Sequence, residues 1–540
     1  MTPADAYARY DAMREALVEL TEANAVQRLW HRDASLWSDD EQVQAAVADR
    51  LGWLDVAGGR PGWGDQLRSF SKAVTDDGID RVVLAGMGGS SLAPEVFASA
   101  FADVHRTELI ILDSTHPDAV RDALPEDGLD STLVIASSKS GTTAETLAFA
   151  LRAERLVPST RHLAAITDPG SHLAEEASAR GWRRVFENPT DIGGRYSALS
   201  LFGMVPAALA GVDIDAIWRS GAGMLTACGP TNQGVDNPAL ALGAFMGGMA
   251  RTGRDKLTLL TSARLSSFGN WVEQLVAEST GKQGRGIVPV VGEPVAVPGV
   301  YGDDRAFVVV ELAEDPVPGV QELIDAGLPV FAIHVGDRTE LGGEFVRWEA
   351  ATALAGALLG IDPFDQPNVA ESKENTRTVL EEVAQGTDLP EPEGGDLEDL
   401  LDQLSPGDYL SLQAYLPPDP KVWAGLTEVR MLLRDQHGVA TTAGWGPRFL
   451  HSTGQLHKGG PNTVVAIQLV DVPAEDLAIP DRDHTFGTLI RAQALGDLRS
   501  LRAHDRRVIQ HRVDGPQDIV RLIGDLRAIL HKPVHSRDPI

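Results

Sequence analysis

The sequence predicts an α/β protein of parallel-sheet α/β/α sandwiches: two full domains plus a third, duplicated C-terminal α/β lobe. Two observations carry this. From about residue 80, short runs that are apolar throughout alternate with helical stretches, and strands lacking a polar face belong to parallel sheets covered on both sides. A second series of the same kind follows. After an acidic stretch, part of that second series recurs in the same order.

Taken in order, residues 1–60 form a helical lead-in, with Leu17, Leu20, Ala25, Val26 and Leu29 at helical spacing among many charges. Residues 61–235 make the first domain. Its strands are Arg81–Gly86, Leu109–Leu112, Leu133–Ser137, Leu163–Thr167 and Arg184–Phe186, and the helices between them are Ala93–Ala102, Ala119–Leu124, Thr143–Val157 and Leu173–Ala179. The uncharged run Tyr196–Val212 carries Pro206 and reads as a buried helix rather than a membrane span. Residues 236–386 make the second domain, with strands Leu257–Thr261, Ile287–Val291, Phe307–Leu312 and Val330–Val335 and helices Phe268–Glu278, Gly343–Leu359 and Val369–Ala384.

Residues 387–407 read as a solvated linker, because Thr387–Asp402 holds seven acidic residues, no basic ones, and two prolines and two glycines. The remaining residues, 408–540, echo the second domain. Tyr409–Leu412 echoes Lys256–Leu259, Asn462–Leu469 echoes Arg305–Leu312, and Thr485–Leu495 echoes Glu344–Leu354.

Composition narrows the function. With 47 basic and 77 acidic residues among 540, the formal charge is −30, which argues against nucleic acid as the main partner. A small anionic substrate would need a locally basic site or one rich in backbone N–H groups. The single cysteine, Cys228, excludes an internal disulfide or a Cys-based metal cluster and fits a reducing, cytoplasmic setting. No positive-then-apolar leader opens the chain, and no stretch reads as a membrane span.

Six segments could carry chemistry. Gly86-Met87-Gly88-Gly89-Ser90-Ser91 follows a strand and precedes a helix, where backbone N–H groups and the helix dipole favour an anion; the same turn also forms without a ligand. Ser137-Ser138-Lys139-Ser140-Gly141-Thr142-Thr143 packs five hydroxyls, a lysine and a glycine into a strand end, which suits either a phosphate cradle or a simple helix cap. Both loops fall on the sheet edge where open parallel sheets bind ligands.

In Asp191–Ser197, two glycines precede Arg195 and would let it reach a cleft; a surface turn would look alike. Glu273 and Glu278-Ser279-Thr280-Gly281-Lys282 end a helix, where the Glu278 carboxylate is either a base in a cleft or simply solvated. Phe364–Val369 leads into a helix bearing Lys373. His451 and His457 lie in one Gly-rich segment without a metal-ligand spacing, and either could serve as an acid–base group.

Together these segments resemble the glucose-6-phosphate isomerase family, built on sugar-isomerase (SIS) domains. GMGGSS at 86, SSKSGTT at 137, GGRYS at 193, AESTGK at 277 and FDQPNVAESK at 364 stand in family order. The lead-in and C-terminal lobe look like the isomerase portion of actinobacterial transaldolase–isomerase fusions. The resemblance implies an aldose–ketose isomerase of sugar phosphates that needs no metal or other cofactor. It implies that Gly89, Ser90, Ser138, Lys139, Ser140 and Thr143 bind the phosphate, and that Glu278 moves a proton between C1 and C2. Arg195 would offset enediolate charge, while Gln366 and Lys373 would hold sugar hydroxyls and the ring oxygen.

Two departures stand out. Asn368 and Ala370 occupy positions where the family usually has Gly and Glu. No histidine lies between Gly284 and Leu312, where the family places its ring-opening histidine, supplied in ordinary members by a neighbouring subunit. Leu450–Gln455 resembles the missing piece. His451 is therefore expected to act from the same chain, with His457 as runner-up, which allows an active monomer; otherwise a homodimer is implied. The other readings are a bifunctional phosphoglucose/phosphomannose isomerase, or a non-catalytic phosphosugar sensor, which would lack the base and the arginine.

Overall fold

A computed structural model describes residues 1–104 and 106–530. His105, in the expected first domain, and 531–540, at the end of the expected C-terminal lobe, lie outside the described residues. The chain forms three parallel sheets. The first contains β1 (Arg81–Gly86), β2 (Glu108–Leu112), β3 (Thr132–Ser137), β4 (Leu163–Thr167) and β5 (Arg184–Glu187), in the order β2-β1-β3-β4-β5. The second contains β6 (Lys256–Thr261), β7 (Val288–Val291), β8 (Arg305–Leu312) and β9 (Val330–Val335), in the order β7-β6-β8-β9. The third contains β10 (Tyr409–Tyr415), β11 (Ala440–Trp445), β12 (Val464–Val470) and β13 (Arg507–Arg512), in the order β11-β10-β12-β13.

The second and third sheets thus share one winding order, as a duplicated half-domain requires. One echo has a different place. The helix Phe486–Ala503 connects β12 to β13, whereas its supposed counterpart, Leu341–Leu359, follows β9. The slot between β8 and β9 is filled by the short helix Val320–Asp325 instead. Strands β11 and β13, absent from the expected series, are the two edges of the third sheet. An edge strand is half solvated and need not be apolar, and β13 (RVIQHR) is mostly only partly buried.

The lead-in packs on the second sheet and its helices. Trp37 Nε1 donates to the Ala353 carbonyl at 2.8 Å, and the Ala332 N–H donates to the Met1 carbonyl at 3.1 Å. Helices Pro238–Arg251 and Leu341–Leu359 meet through small residues: a Cβ on Gly243 would lie 2.8 Å from the Ala351 carbonyl oxygen. The run read as a buried helix forms Leu201–Ala210, buried at every position. Among the described residues, no helix is long and apolar enough to cross a membrane.

The acidic stretch is not wholly solvated. Gly394 pairs with Gln510 of β13, and Leu397, Leu400 and Leu401 of the helix Leu397–Leu401 enter the core of the third lobe. The leucines interspersed with the acids form one apolar helical face, which outweighs the local charge.

The third lobe wedges against both other sheets. Ala277, Val288 and Val290 share a core cluster with Tyr409, Ala440, Leu456 and Val464. Phe149 and Phe486 stack at 5.9 Å, joining the lobe to the first sheet. Between β7 and β11, Arg305 Nη2 pairs with Glu293 Oε1 at 2.9 Å in full burial, and Arg430 Nη2 donates to the Val291 carbonyl at 2.9 Å.

Inside the lobe, His457 lies among the rings of Tyr409 and Phe449, with Gln413 Nε2 3.3 Å from its Nδ1. Burial, with the nearby charges of Lys458 and Arg506, pushes its imidazolium pKa down to about 3. The folded state therefore keeps His457 neutral while the unfolded chain takes up a proton near the ordinary value of 6.5. Stability from this group is present above that value and is lost as pH falls. We expect the stability of the wild type minus that of His457→Gln, from urea unfolding, to fall by up to about 1.4 kcal/mol per pH unit between pH 6 and 4. A difference independent of pH would contradict this burial.

Candidate functional site

The loops after β1 and β3 lie side by side, since Gly86 pairs with Ser137 in the ladder. In the order β2-β1-β3 they flank the point where the chain reverses its winding, the place where open parallel sheets hold ligands. Both loops depend on glycine. Gly88 has φ +56°, and a Cβ there would lie 2.8 Å from the His451 carbonyl oxygen. A Cβ on Gly89 would lie 2.0 Å from the Gly194 carbonyl oxygen, next to Arg195. Close packing of the first loop thus joins it to two other predicted segments.

Ser90 and Ser138 are buried, Thr143 is half-buried and Ser140 is exposed. Ser138 Oγ lies 2.9 Å from Thr143 Oγ1 and accepts from the Gly141 N–H at 3.2 Å. Lys139 has protein partners of its own. Its ammonium binds Asp168 Oδ2 at 2.5 Å and the Thr190 carbonyl at 2.7 Å, so it anchors the loop to the segments after β4 and β5. The reason is local: Asp168 directly follows β4, beside the end of β3, and offers a partner that the motif itself does not reveal.

Arg195 and Glu278 meet in the interior, with Nη1 3.3 Å from Oε1 and both side chains buried. Arg195 is held at every nitrogen. Nε donates to Ser279 Oγ at 2.7 Å, Nη1 to Gln366 Oε1 at 2.6 Å, and Nη2 to the Pro363 and Asp365 carbonyls at 2.7 and 2.9 Å. Glu278 lies in the last turn of the helix Ser266–Thr280. One turn earlier, Gln274 Nε2 donates to Glu278 Oε2 at 2.9 Å and to the His451 carbonyl at 2.8 Å. Gln274 therefore ties the carboxylate to the third lobe. The loop carrying Gln366 is fastened by the Lys282 ammonium, which binds the Asp362 and Asp365 carbonyls and the Asp365 carboxylate. Burial pushes the Lys282 pKa down to about 8.

His451 ends the 3-10 turn Arg448–His451 and is largely buried. Its Nε2 lies 2.9 Å from Glu145 Oε1, to which Gln493 Nε2 also donates at 2.8 Å. Burial works to raise the Glu145 pKa, but the charge and hydrogen bond of His451, with the charge of Lys373, outweigh it and hold the carboxyl below its ordinary value. Thr142, Glu145, Ser372, Lys373, His451 and Gln493 line one cavity of about 270 Å³. It opens beside the end of the Ser/Thr-rich loop. His457, the runner-up, lies instead in the lobe core already described.

Asn368 has a structural counterpart in the third lobe. Its N–H donates to Gln455 Oε1 at 2.8 Å, and its Oδ1 accepts from Gln455 Nε2 at 2.8 Å. Sequence reasoning did not single out Glu145, Gln274 or Gln493. Glu145 stands two residues past the SSKSGTT motif and Gln274 one helical turn before Glu278, so spacing alone could have flagged both. Gln493 comes from a distant helix and carries no local signal.

Comparison with known proteins places this cleft in context. A family profile described as "Phosphoglucose isomerase" matches residues 10–288. A glucose-6-phosphate isomerase from Thermosynechococcus vestitus is 28% identical over 424 residues, covering 67% of this chain and 77% of that protein. One from Lactobacillus helveticus is 30% identical over 403 residues, covering 62% of this chain and 87% of that protein. Among solved structures, a hypothetical protein from Thermus thermophilus superposes with a TM-score of 0.57 at 25% identity, covering 68% of this chain and 97% of that one. A glucose-6-phosphate isomerase from Chlamydia trachomatis superposes with a TM-score of 0.51 at 21% identity, covering 66% of this chain and 78% of that one.

The crowding at Gly89 gives a direct test. Gly89→Ala should force the first loop away from Gly194 and cost about 1–3 kcal/mol, read as a lower urea midpoint at unchanged slope. An unchanged midpoint would mean the two loops are not packed together.

Proposed function

The chain belongs to the phosphoglucose isomerase family, and on that premise we propose that this cleft interconverts glucose 6-phosphate and fructose 6-phosphate. The observation that carries the reading is the buried Glu278 carboxylate, fixed between Arg195 and Gln274 beside His451. A phosphosugar sensor has no use for a desolvated base paired with a cation.

The phosphate is held by the hydroxyls of Ser90, Ser138, Ser140 and Thr143, with backbone N–H groups of both loops, Gly89 among them. The N-terminus of the helix Ala144–Leu156 adds the favourable end of its dipole. Lys139 contributes by ordering the loop. Anchoring the phosphate away from the reacting carbons fixes orientation before chemistry begins.

His451, oriented by Glu145, gives a proton to the ring oxygen as the C1–O5 bond breaks and takes up the proton of the C1 hydroxyl, leaving the open-chain aldehyde. Lys373, across the same cavity, helps hold that oxygen. Glu278 then removes the C2 proton as the C1 carbonyl becomes an enediolate oxygen, and the Arg195 guanidinium offsets the charge. Glu278 returns the proton to C1, and the proton of the C2 hydroxyl passes to O1, which leaves the C2 ketone and the C1 hydroxyl. Gln366, fixed by Arg195, orients the sugar hydroxyls. Each step uses groups of this chain and needs no metal.

All these residues come from one chain, so we assign activity to the monomer. The cytoplasm, as the compartment of glycolysis, is its place in this reading. The thiol of Cys228, pushed up to about 12 by burial, is inert and consistent with that.

Glu278→Gln should lower kcat about 10²–10⁴-fold with little change in KM, measured by a coupled isomerase assay on fructose 6-phosphate. Loss of less than tenfold would remove Glu278 from the role of base. His451→Ala should abolish turnover of the cyclic sugar while sparing much of the activity on an open-chain analogue; equal loss on both would count against ring opening. Activity per chain should stay constant on dilution, and EDTA should leave the rate unchanged.

A further inference from the structure

Behind the cleft lies a larger cavity of about 700 Å³ where the three sheets meet. The helix Ser266–Thr280 and the turn Arg448–His451 form the wall between the two. Glu273 and Arg448 face the cavity, while their neighbours Gln274 and His451 serve the cleft. We propose that this cavity binds an organic cation of the aliphatic polyamine class, with an ammonium group against Glu273 and the methylene chain along Trp423 and Trp445.

The charge of the wall points to a cation. Glu95, Asp113, Asp122 and Glu273 line it against the one guanidinium of Arg448. That guanidinium is already engaged: Nη1 lies 3.1 Å from Glu95 Oε1 and 3.2 Å from Asp113 Oδ2, and Nη2 donates to Glu95 Oε2. Glu273 makes no hydrogen bond or ion pair among the described residues. Burial pushes its pKa up to about 7, with the charges of Arg430 and Arg448 offsetting only part of this, as befits a carboxylate with no cation in contact.

Independent features point to a ligand. Ser267 lines the cavity at 5% exposure, and its Oγ has no hydrogen-bond partner. Asp113 Oδ2 is likewise buried, with the Arg448 ion pair but no hydrogen bond. Trp423 and Trp445, with centroids 5.3 Å apart, give an aromatic wall of the kind that binds ammonium and methylene groups together. Ala119, Asp122 and Pro418 also border a second recess, of about 390 Å³, lined by Asp419, Asp471 and Asp514. The acidic wall is therefore extended, which suits several spaced charges better than one. A sugar phosphate would meet mostly like charge here, since the one guanidinium, of Arg448, is paired with Glu95 and Asp113.

The test is calorimetry and tryptophan fluorescence on the full chain with spermidine, at 0.15 M salt to suppress diffuse attraction to the acidic surface. Sorbitol serves as the uncharged control. One saturable spermidine site is expected, weakened at least tenfold by Glu273→Gln and by Trp423→Leu and unchanged by Glu41→Gln on the exposed helix Glu41–Ala48. Trp423→Leu also serves should the Glu273 variant fail to fold. Equal affinity in all variants, or several weak sites, would show diffuse counterion binding and overturn the proposal. Binding of sorbitol in place of spermidine would make this a polyol site and overturn it as well.

Discussion

A carboxylate that keeps its charge away from water needs a cation beside it, and the structure turns on how Arg195 holds Glu278. Taking one such charge into the interior costs several kcal/mol unless partners replace its water. Here the guanidinium faces the carboxylate at 3.3 Å and spends its other donors on Ser279, Gln366 and two backbone carbonyls of the 363–365 segment. The pair therefore fixes more than itself. It pins the loop after β5, the end of the helix Ser266–Thr280 and the turn carrying Gln366 to one another. The glycines of the β1 loop are required because this cluster leaves no room for a Cβ against Gly194 or His451.

The third lobe completes that arrangement. It repeats the winding order of the second sheet, and its turn Arg448–His451 delivers a carbonyl to Gln274 and an imidazole to Glu145. Leu456 packs so closely on Gly281 that a Cβ there would lie 2.4 Å from the Leu456 Cα. Gln455 satisfies the amide of Asn368, so a departure from the family pattern in one domain is met by a side chain of another. The lobe thus walls the cavity lined by Glu145, Lys373 and His451, and in the proposed reaction it supplies one residue to it.

Much of this was legible in the chain. The apolar-throughout strands of the first two sheets and the two loops at neighbouring strand ends follow from periodicity and turn chemistry. So does the buried character of Leu201–Ala210. The illegible parts share a physical cause, which is that long-range partners decide them. Edge strands β11 and β13 are polar because one side meets solvent. The leucines of 397–401 look solvated until β13 offers a face. The Asp168 partner of Lys139 cannot be read from its motif, and the isolated Glu278 reads as a solvated helix end until Arg195 arrives from the loop after β5. Glu145 and Gln493 acquire meaning only once the third lobe is in place.

The central claim is that Glu278 carries a proton between two carbons. The most direct measurement is to run the isomerisation in deuterium oxide and read the label by NMR. The account predicts deuterium at C1 of fructose 6-phosphate formed from glucose 6-phosphate, lost together with turnover when Glu278 is replaced by Gln. Exchange into C1 that persists at an undiminished rate in the Gln variant would signify another base and would contradict it.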